Sequence, residues 1–212
     1  MRLLLIAALC LCAQGQDTPA KTAPAPESKG MPPRASAAEY QSSAQAGSIT
    51  VAADFDEHSV PTADGTFSTE DYVVVEAALF GPAGARIQLT PSDFSLRIND
   101  KKSPQASQPY ELVAHSLKDP SWAPPEKEKG SGTSLSSGKK DNGEPPPAPV
   151  HMPIQMQLAM EQRVKSAVLL GGDRALPQAG LLFFEYHGKG KTIHSVELIY
   201  TGAAGKATLT LQ

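Results

Sequence analysis

Apolar and polar side chains alternate at a period of two through much of the first half of the chain, which indicates β-strands. Residues 49–55 (ITVAADF) and 94–98 (FSLRI) each place their apolar side chains on one face. Residues 72–80 (YVVVEAALF) are apolar on both faces except at Glu76, a pattern typical of a strand inside a sheet. A short strand is predicted at residues 87–89, so the first half favours a mainly β structure.

The second half begins with a predicted helix. Pro153 suits the first helical position, and an apolar stripe at helical spacing follows it before Gly171 and Gly172 end the helix. The stripe consists of Met156, Met160, Val164, Ala167 and Val168. Residues 110–114 (YELVA) fit either a strand or a single helical turn, and periodicity does not decide between them.

Three further strands are predicted at residues 181–186, 193–200 and 207–211. Glycine-rich segments at 187–190 and 202–205 separate them and resemble hairpin loops. About seven or eight short strands with one helix predict an antiparallel β-sandwich.

Composition divides the 212 residues into segments of different character. Residues 1–15 combine Arg2, an apolar block and a small-residue site, as a secretory signal peptide does. Residues 16–47 and the internal stretch 119–150 contain 12 of the 19 prolines and few apolar side chains. They are predicted to be a disordered tether and a disordered insertion, which leaves 48–212 as one interrupted sandwich domain.

Three sequence blocks resemble a known family when taken together. They are DYVVVEAALF (71–80), IQLTPSDFSLRIND (87–100) and GLLFFEYHGKGKTIHSVELIY (180–200). The chain is similar here to bacterial exported immunoglobulin-like domains of unknown function, related to the telokin-like immunoprotective extracellular protein of mycobacteria. The resemblance implies an immunoglobulin-like sandwich outside the cytoplasm that binds or supports something, and it brings no catalytic residues with it.

The corner inside the second block has a physical reason of its own. Thr90 can cap a helical turn, Pro91 suits its first position, and Asp93 stands where a carboxylate reaches back to the cap. Phe94 would then enter the core as the next strand begins.

Charge and cysteine content exclude several classes of function. A formal net charge of −3 lacks the basic character of a nucleic-acid-binding protein. No apolar run after the first dozen residues approaches the roughly 20 needed to cross a bilayer, so no transmembrane span is expected in the mature chain. Both cysteines, Cys10 and Cys12, fall in the predicted signal peptide, so the mature chain can form neither a disulfide nor a thiolate metal site.

The densest group of candidate ligands is Asp54, Asp56, Glu57 and His58. Carboxylates in a loop can hold Ca²⁺, which takes six to eight oxygens, but the spacing does not match an EF-hand. A solvated loop at a strand end is the simpler interpretation, and the calcium site is kept as a minor hypothesis. No cofactor is predicted.

We therefore expect an exported, non-enzymatic binding or interaction module, periplasmic or secreted, whose partner is an extracytoplasmic protein or an envelope component. Trp122 and the proline-rich stretch of the insertion are candidate recognition elements, with an unselected linker as the alternative. Two other functions remain open. One is a small hydrolase that pairs His58 or His115 with a carboxylate, and the other is a structural subunit of an envelope complex.

Overall fold

A computed structural model describes residues 30–123 and 151–212. The predicted signal peptide, the start of the predicted tether and most of the predicted insertion lie outside the described residues. The strands of the described part, in chain order, are β1 (Ser42–Ala46), β2 (Ile49–Phe55), β3 (Ser59–Thr62), β4 (Gly65–Thr69), β5 (Tyr72–Phe80), β6 (Arg86–Leu89), β7 (Phe94–Ile98), β8 (Gln105–Ala106), β9 (Leu117–Lys118), β10 (Gly172–Ala175), β11 (Gln178–Glu185), β12 (Val196–Gly202) and β13 (Gly205–Thr210). The helices are α1 (Tyr110–Val113) and α2 (Ile154–Ala167).

Two four-stranded antiparallel sheets form a β-sandwich, as predicted. The central sheet has the order β1-β2-β5-β11, and the flanking sheet has the order β13-β12-β7-β8. Their facing sides share one apolar core, to which the central sheet contributes Val75 and Phe184, and the flanking sheet Phe94 and Tyr200. Each of these four side chains is fully buried. The mainly β fold class is therefore confirmed.

The opposite side of the central sheet is also covered, by what we call the outer layer. This layer consists of α1, α2 and the small sheet β3-β4-β9. Val74 and Phe183 of the central sheet pack there against Met160 and Val164 of α2 in a second buried cluster. The strand β5 is therefore buried on both faces, which explains why its sequence is apolar at successive positions.

The segment after α2 runs along the edge strand β11. The Leu169 amide donates to the Leu181 carbonyl at 3.0 Å, and Val168 forms a parallel bridge with Leu181. A side chain at Gly180 would collide with the backbone of Leu169, so glycine permits this close approach. The helix consequently ends at Ala167, earlier than the predicted stop at the glycine pair, and Val168 is extended rather than helical.

The Thr90–Phe94 corner forms as predicted. A 3-10 turn spans Pro91–Asp93, and the Thr90 amide donates to Oδ2 of Asp93 at 3.1 Å. Phe94 follows as the first residue of β7 and is fully buried. For residues 110–114 the sequence left a strand and a helical turn as alternatives, and the structure has the helical turn α1 at Tyr110–Val113.

Two predictions about connections and order are wrong. Residues 187–190 do not close a hairpin, because β11 belongs to the central sheet and β12 to the flanking sheet, so the chain crosses between sheets there. The predicted tether is ordered from residue 30 onward, where it includes β1 and the buried Tyr40. Tertiary packing accounts for this order, since Tyr40 packs on Ala52 and Ala78 of the central sheet.

Neither helix of the described ranges is long and apolar enough to cross a membrane.

Candidate functional site

The predicted acidic ligands lie at the end of β2, on the outer-layer side of the central sheet. Asp54 is the register partner of Glu76 on β5, so two carboxylates stand directly opposite each other. Like charges in that position are destabilising unless a cation lies between them. Arg34 supplies the cation, because its Nη2 contacts Oδ2 of Asp54 and Oε2 of Glu76, the latter at 3.1 Å.

Arg34 is held in place by three further contacts. Its Nη1 donates to the Glu39 carbonyl at 2.5 Å, and its guanidinium lies 4.4 Å from the centre of the Tyr40 ring. The Arg34 amide also lies 3.2 Å from the Tyr40 hydroxyl. Arg34 therefore links the segment before β1 to Asp54 and Glu76 of the central sheet.

Asp56 adds a third carboxylate beside this pair. Its Oδ2 is buried without a hydrogen-bond partner. Burial, followed by the negative charges of Glu76 and Asp54, raises the pKa of Asp56 to about 7. Arg34 compensates only part of the negative charge in this cluster, so Asp56 takes up a proton near neutral pH.

The remaining two predicted ligands, Glu57 and His58, belong to the turn that follows β2. Glu57 occupies a left-handed turn position with φ of 51°. His58 directs Nδ1 at the Tyr72 carbonyl, 2.7 Å away, and Nε2 at the Gly188 carbonyl, 2.9 Å away. Carbonyl oxygens only accept, so both contacts are hydrogen bonds when both ring nitrogens carry protons. His58 thus ties the crossover between the two sheets to the start of β5.

Within residues 30–123 and 151–212, no group of three or more His, Cys, Asp or Glu side chains is placed to hold a metal ion. Asp54 is occupied by Arg34, and both nitrogens of His58 by carbonyl groups. The arrangement thus lends no support to the calcium hypothesis.

A second histidine lies near the same crossover. His187 is exposed and contacts the carboxylates of Asp71 at 3.2 Å and Glu185 at 2.9 Å. Hydrogen bonds to Glu185 and then Asp71 raise its pKa. Both ring nitrogens are therefore occupied by carboxylates. His115, the other histidine considered for a hydrolase, is exposed on the 3-10 turn Ala114–Ser116.

The outer layer carries the most distinctive surface of the described part. All of its large apolar side chains that are highly exposed belong to α1 or α2, namely Leu112 (53%), Ile154 (72%), Met156 (43%) and Leu158 (53%). Ile154 and Leu158 lie one helical turn apart. The Tyr110 hydroxyl donates to the Glu161 carbonyl at 2.7 Å and holds α1 against α2.

Two cavities border the same helices. An apolar groove of about 240 Å³ lies over β11, between Tyr110 on one side and Val168 on the other, with Phe183 in its wall. A larger cavity of about 450 Å³ is lined by Trp122, Met152 and Met160 together with polar side chains. The larger volume falls in the range of small-ligand sites, about 300–1,000 Å³.

Sequence reasoning missed both Arg34 and the surface formed by α1 and α2. Arg34 stands in a segment whose composition resembles a linker, and only its position before a lone tyrosine distinguishes it. Ile154 and Leu158 had a readable signal, because they fall outside the apolar stripe that was predicted to face the core. Within that stripe the prediction for Met156 is wrong, since this side chain is 43% exposed near the start of the helix. Apolar residues on the other side of a helix indicate a second contact surface.

No protein-family model, curated protein or solved structure matches the chain.

Proposed function

We propose that this chain is an exported, non-enzymatic binding module that recognises an extracytoplasmic protein through its outer layer. The observation that carries the proposal is the exposure of Ile154 and Leu158 on one side of α2, together with Leu112 on the neighbouring helix α1. Scattered exposed apolar residues are normal on soluble proteins, whereas exposed apolar residues that adjoin one another on one face mark an interaction site.

The order of the strands supports an immunoglobulin-like version of the sandwich. β5 lies between β2 and β11, as strand B lies between strands A and E in immunoglobulin domains. β12 lies between β13 and β7, as strand F lies between G and C. On this assignment β1 and the outer layer are additions to the common scaffold. Additions to a shared scaffold are where function is placed in such folds.

Export is supported by the first 15 residues. A basic residue, an apolar block and a small-residue cleavage site follow one another in the order that a signal peptidase substrate requires. The partner would then be a protein of the periplasm, the envelope or the medium.

The surface suits a protein partner because it is a helix face. Ile154 and Leu158 project from one side of α2, as the anchors of a helix docked into an apolar groove do. Burial of such side chains at an interface contributes roughly 1.5–3 kcal/mol each, enough for two or three anchors to determine affinity.

Site-specific photocrosslinking tests the proposal directly. A photoreactive residue at position 158 is compared with one at Thr208, which is exposed on the flanking sheet. We expect position 158 to capture one protein in envelope extracts of the source organism, and position 208 to capture none. Ile154→Gln should reduce capture from position 158, because it removes a neighbouring anchor.

Three results would contradict the proposal. One is equal capture from positions 158 and 208, another is capture that Ile154→Gln leaves unchanged, and the third is a crosslinked dimer of the chain itself. The last would identify the surface as a self-association interface instead.

A further inference from the structure

The 450 Å³ cavity at the start of α2 brings together an unusual set of side chains. His151 and Met152 precede the helix, Met160 lies two turns into it, and Trp122 approaches from the loop that follows β9. Three of the five methionines of the whole sequence fall between residues 152 and 160. One imidazole, two thioethers and an indole therefore face one cavity.

We propose that this cavity binds a soft monovalent metal ion, Cu(I) in particular. Thioether sulfur selects Cu(I) over hard cations such as Ca²⁺ and Mg²⁺, and imidazole is a common copper ligand. The proposed ligands are the Met152 and Met160 sulfurs and one ring nitrogen of His151. The face of Trp122 would attract the same cation through its ring quadrupole.

The accessibility of the donors fits this role. His151 is exposed and has no hydrogen bond or ion pair with any described residue, so its ring nitrogens are available. Met152 is half-buried, and Met160 is buried but lines the cavity. Methionine has three rotatable side-chain bonds, which allow two sulfurs to adjust around one ion.

The charges at the rim are also compatible with a cation. Lys118 forms an ion pair with Glu70, in which Nζ lies 2.5 Å from Oε1. Asp119 accepts hydrogen bonds from the hydroxyl and the amide of Ser121, at 2.5 and 2.8 Å, and these lower its pKa. Asp119 therefore stays ionised and contributes a negative charge at the edge of the cavity. A monovalent ion carries little charge into the half-apolar site, which reduces the cost of its desolvation.

This inference does not depend on the protein-binding surface, since Leu112, Ile154 and Leu158 are not part of the cavity wall. The two proposals share the helix α2 but not the side chains that carry them. A variant with Ile154→Gln and Leu158→Gln should consequently keep its metal binding. Failure of one proposal can thus be distinguished from failure of the other.

The first test uses Ag(I), a redox-stable probe with the same soft character. The full chain carries Cys10→Ser and Cys12→Ser throughout, so that thiols do not compete. Trp122 is the only tryptophan, and its fluorescence therefore reports on this cavity alone. We expect a saturable fluorescence change at one Ag(I) per chain and a higher melting temperature with Ag(I). Zn²⁺ should produce neither effect.

A matched set of variants separates ligation from packing. Met152→Leu with Met160→Leu keeps side-chain volume but removes both sulfurs, and should weaken Ag(I) binding at least about tenfold. Met156→Leu is the control, because Met156 lies on the same helix outside the cavity wall. It should bind Ag(I) as the parent chain does. His151→Asn should also weaken binding.

Cu(I), supplied under anaerobic conditions with ascorbate, should follow the same order of variants. Absence of a saturable Trp122 response to Ag(I) would overturn the proposal. So would unchanged binding in the double methionine variant, or an equal loss in the Met156→Leu control.

Discussion

The two faces of the central sheet are both covered by other elements but differ in their chemistry. On β5, the residues that face the flanking sheet are Val73, Val75, Ala77 and Leu79. The residues that face the other way include Val74 and Ala78, but also Glu76, opposite Asp54. On β5, one face is thus apolar, whereas the other combines an apolar part under the helices with a charged part beneath Arg34.

The difference shows where this fold gains its stability and where it can carry function. A continuous apolar core needs only volume and shape, and it tolerates no charge. The outer face contains a carboxylate cluster, two cavities and helices whose other sides expose apolar residues. Such features cost stability, so their concentration on one side points to binding there.

The largest expected effect compares two neighbouring phenylalanines of β11. Phe184 faces the apolar core between the sheets, and Phe183 faces the outer layer, where it borders the 240 Å³ groove. Phe184→Ala should lower the free energy of unfolding by about 3–5 kcal/mol. For Phe183→Ala the loss in free energy of unfolding should be about 1 kcal/mol smaller, because the Phe183 side chain already borders the open groove on one side.

Urea unfolding of the two alanine variants measures both values. Equal costs would mean that the outer layer is packed as tightly as the core between the sheets.

Removal of Arg34 comes next in size. Arg34→Ala leaves Asp54 and Glu76 opposite each other without a cation, which should cost about 2 kcal/mol at pH 8 after allowance for partial exposure. The cost should be smaller at pH 5, because Asp56 is protonated there and no longer adds a negative charge to the cluster. Adding Glu76→Gln should restore part of the stability. Urea unfolding of both variants at the two pH values measures these free energies of unfolding. A loss from Arg34→Ala that does not change with pH would contradict the view that Arg34 acts by compensating carboxylate charge.

Asp56 should impose a pH dependence of its own. Its pKa is raised from 3.8 to about 7 in the folded chain, so the folded state binds the proton more tightly than the unfolded state. Its contribution to stability is therefore full below pH 4 and is lost as the pH rises through about 7. Asp56→Asn should reduce this fall and stabilise the protein at pH 8 by about 1 kcal/mol.

The melting temperature of Asp56→Asn and of the parent chain, followed between pH 4 and 8, tests the prediction. Parallel curves would show that another group dominates the titration.

The smallest effect is expected on the exposed surface of α2. Ile154→Gln with Leu158→Gln removes apolar side chains that are already 72% and 53% exposed. Glutamine is a good helix former, so the free energy of unfolding should change by no more than about 0.5 kcal/mol. Thermal unfolding measures the change, and a larger loss would mean that these side chains support the fold.

The sequence was informative where local pattern and tertiary role coincide. β5 is apolar at successive positions because both of its faces are buried, and the Thr90–Asp93 turn is closed by residues three apart. The strand β1 was missed because its polar sequence SSAQA is held by pairing with β2 rather than by burial of large side chains. The hairpin β3–β4 also escaped prediction, although Asp64 and Gly65 carry a turn signal.

The crossover at residues 187–190 shows a different limit. Glycine-rich segments indicate that the chain turns, but not whether the next strand joins the same sheet. The candidate sites share this limit, because Arg34 meets Glu76 and Trp122 meets Met152 only through the fold. The sequence shows which residue types are present, but it does not show which of them the fold brings together.

The most direct test of the account measures stability and partner capture on the same variant. The chain with Ile154→Gln and Leu158→Gln is compared with one carrying Lys206→Gln and Thr208→Gln, exposed positions on β13. Binding to the partner identified by crosslinking is measured beside the melting temperature. We predict an unchanged melting temperature for both variants, and loss of binding only for the α2 variant. Retained binding in the α2 variant, or equal loss in both, would contradict the assignment of binding to the outer layer.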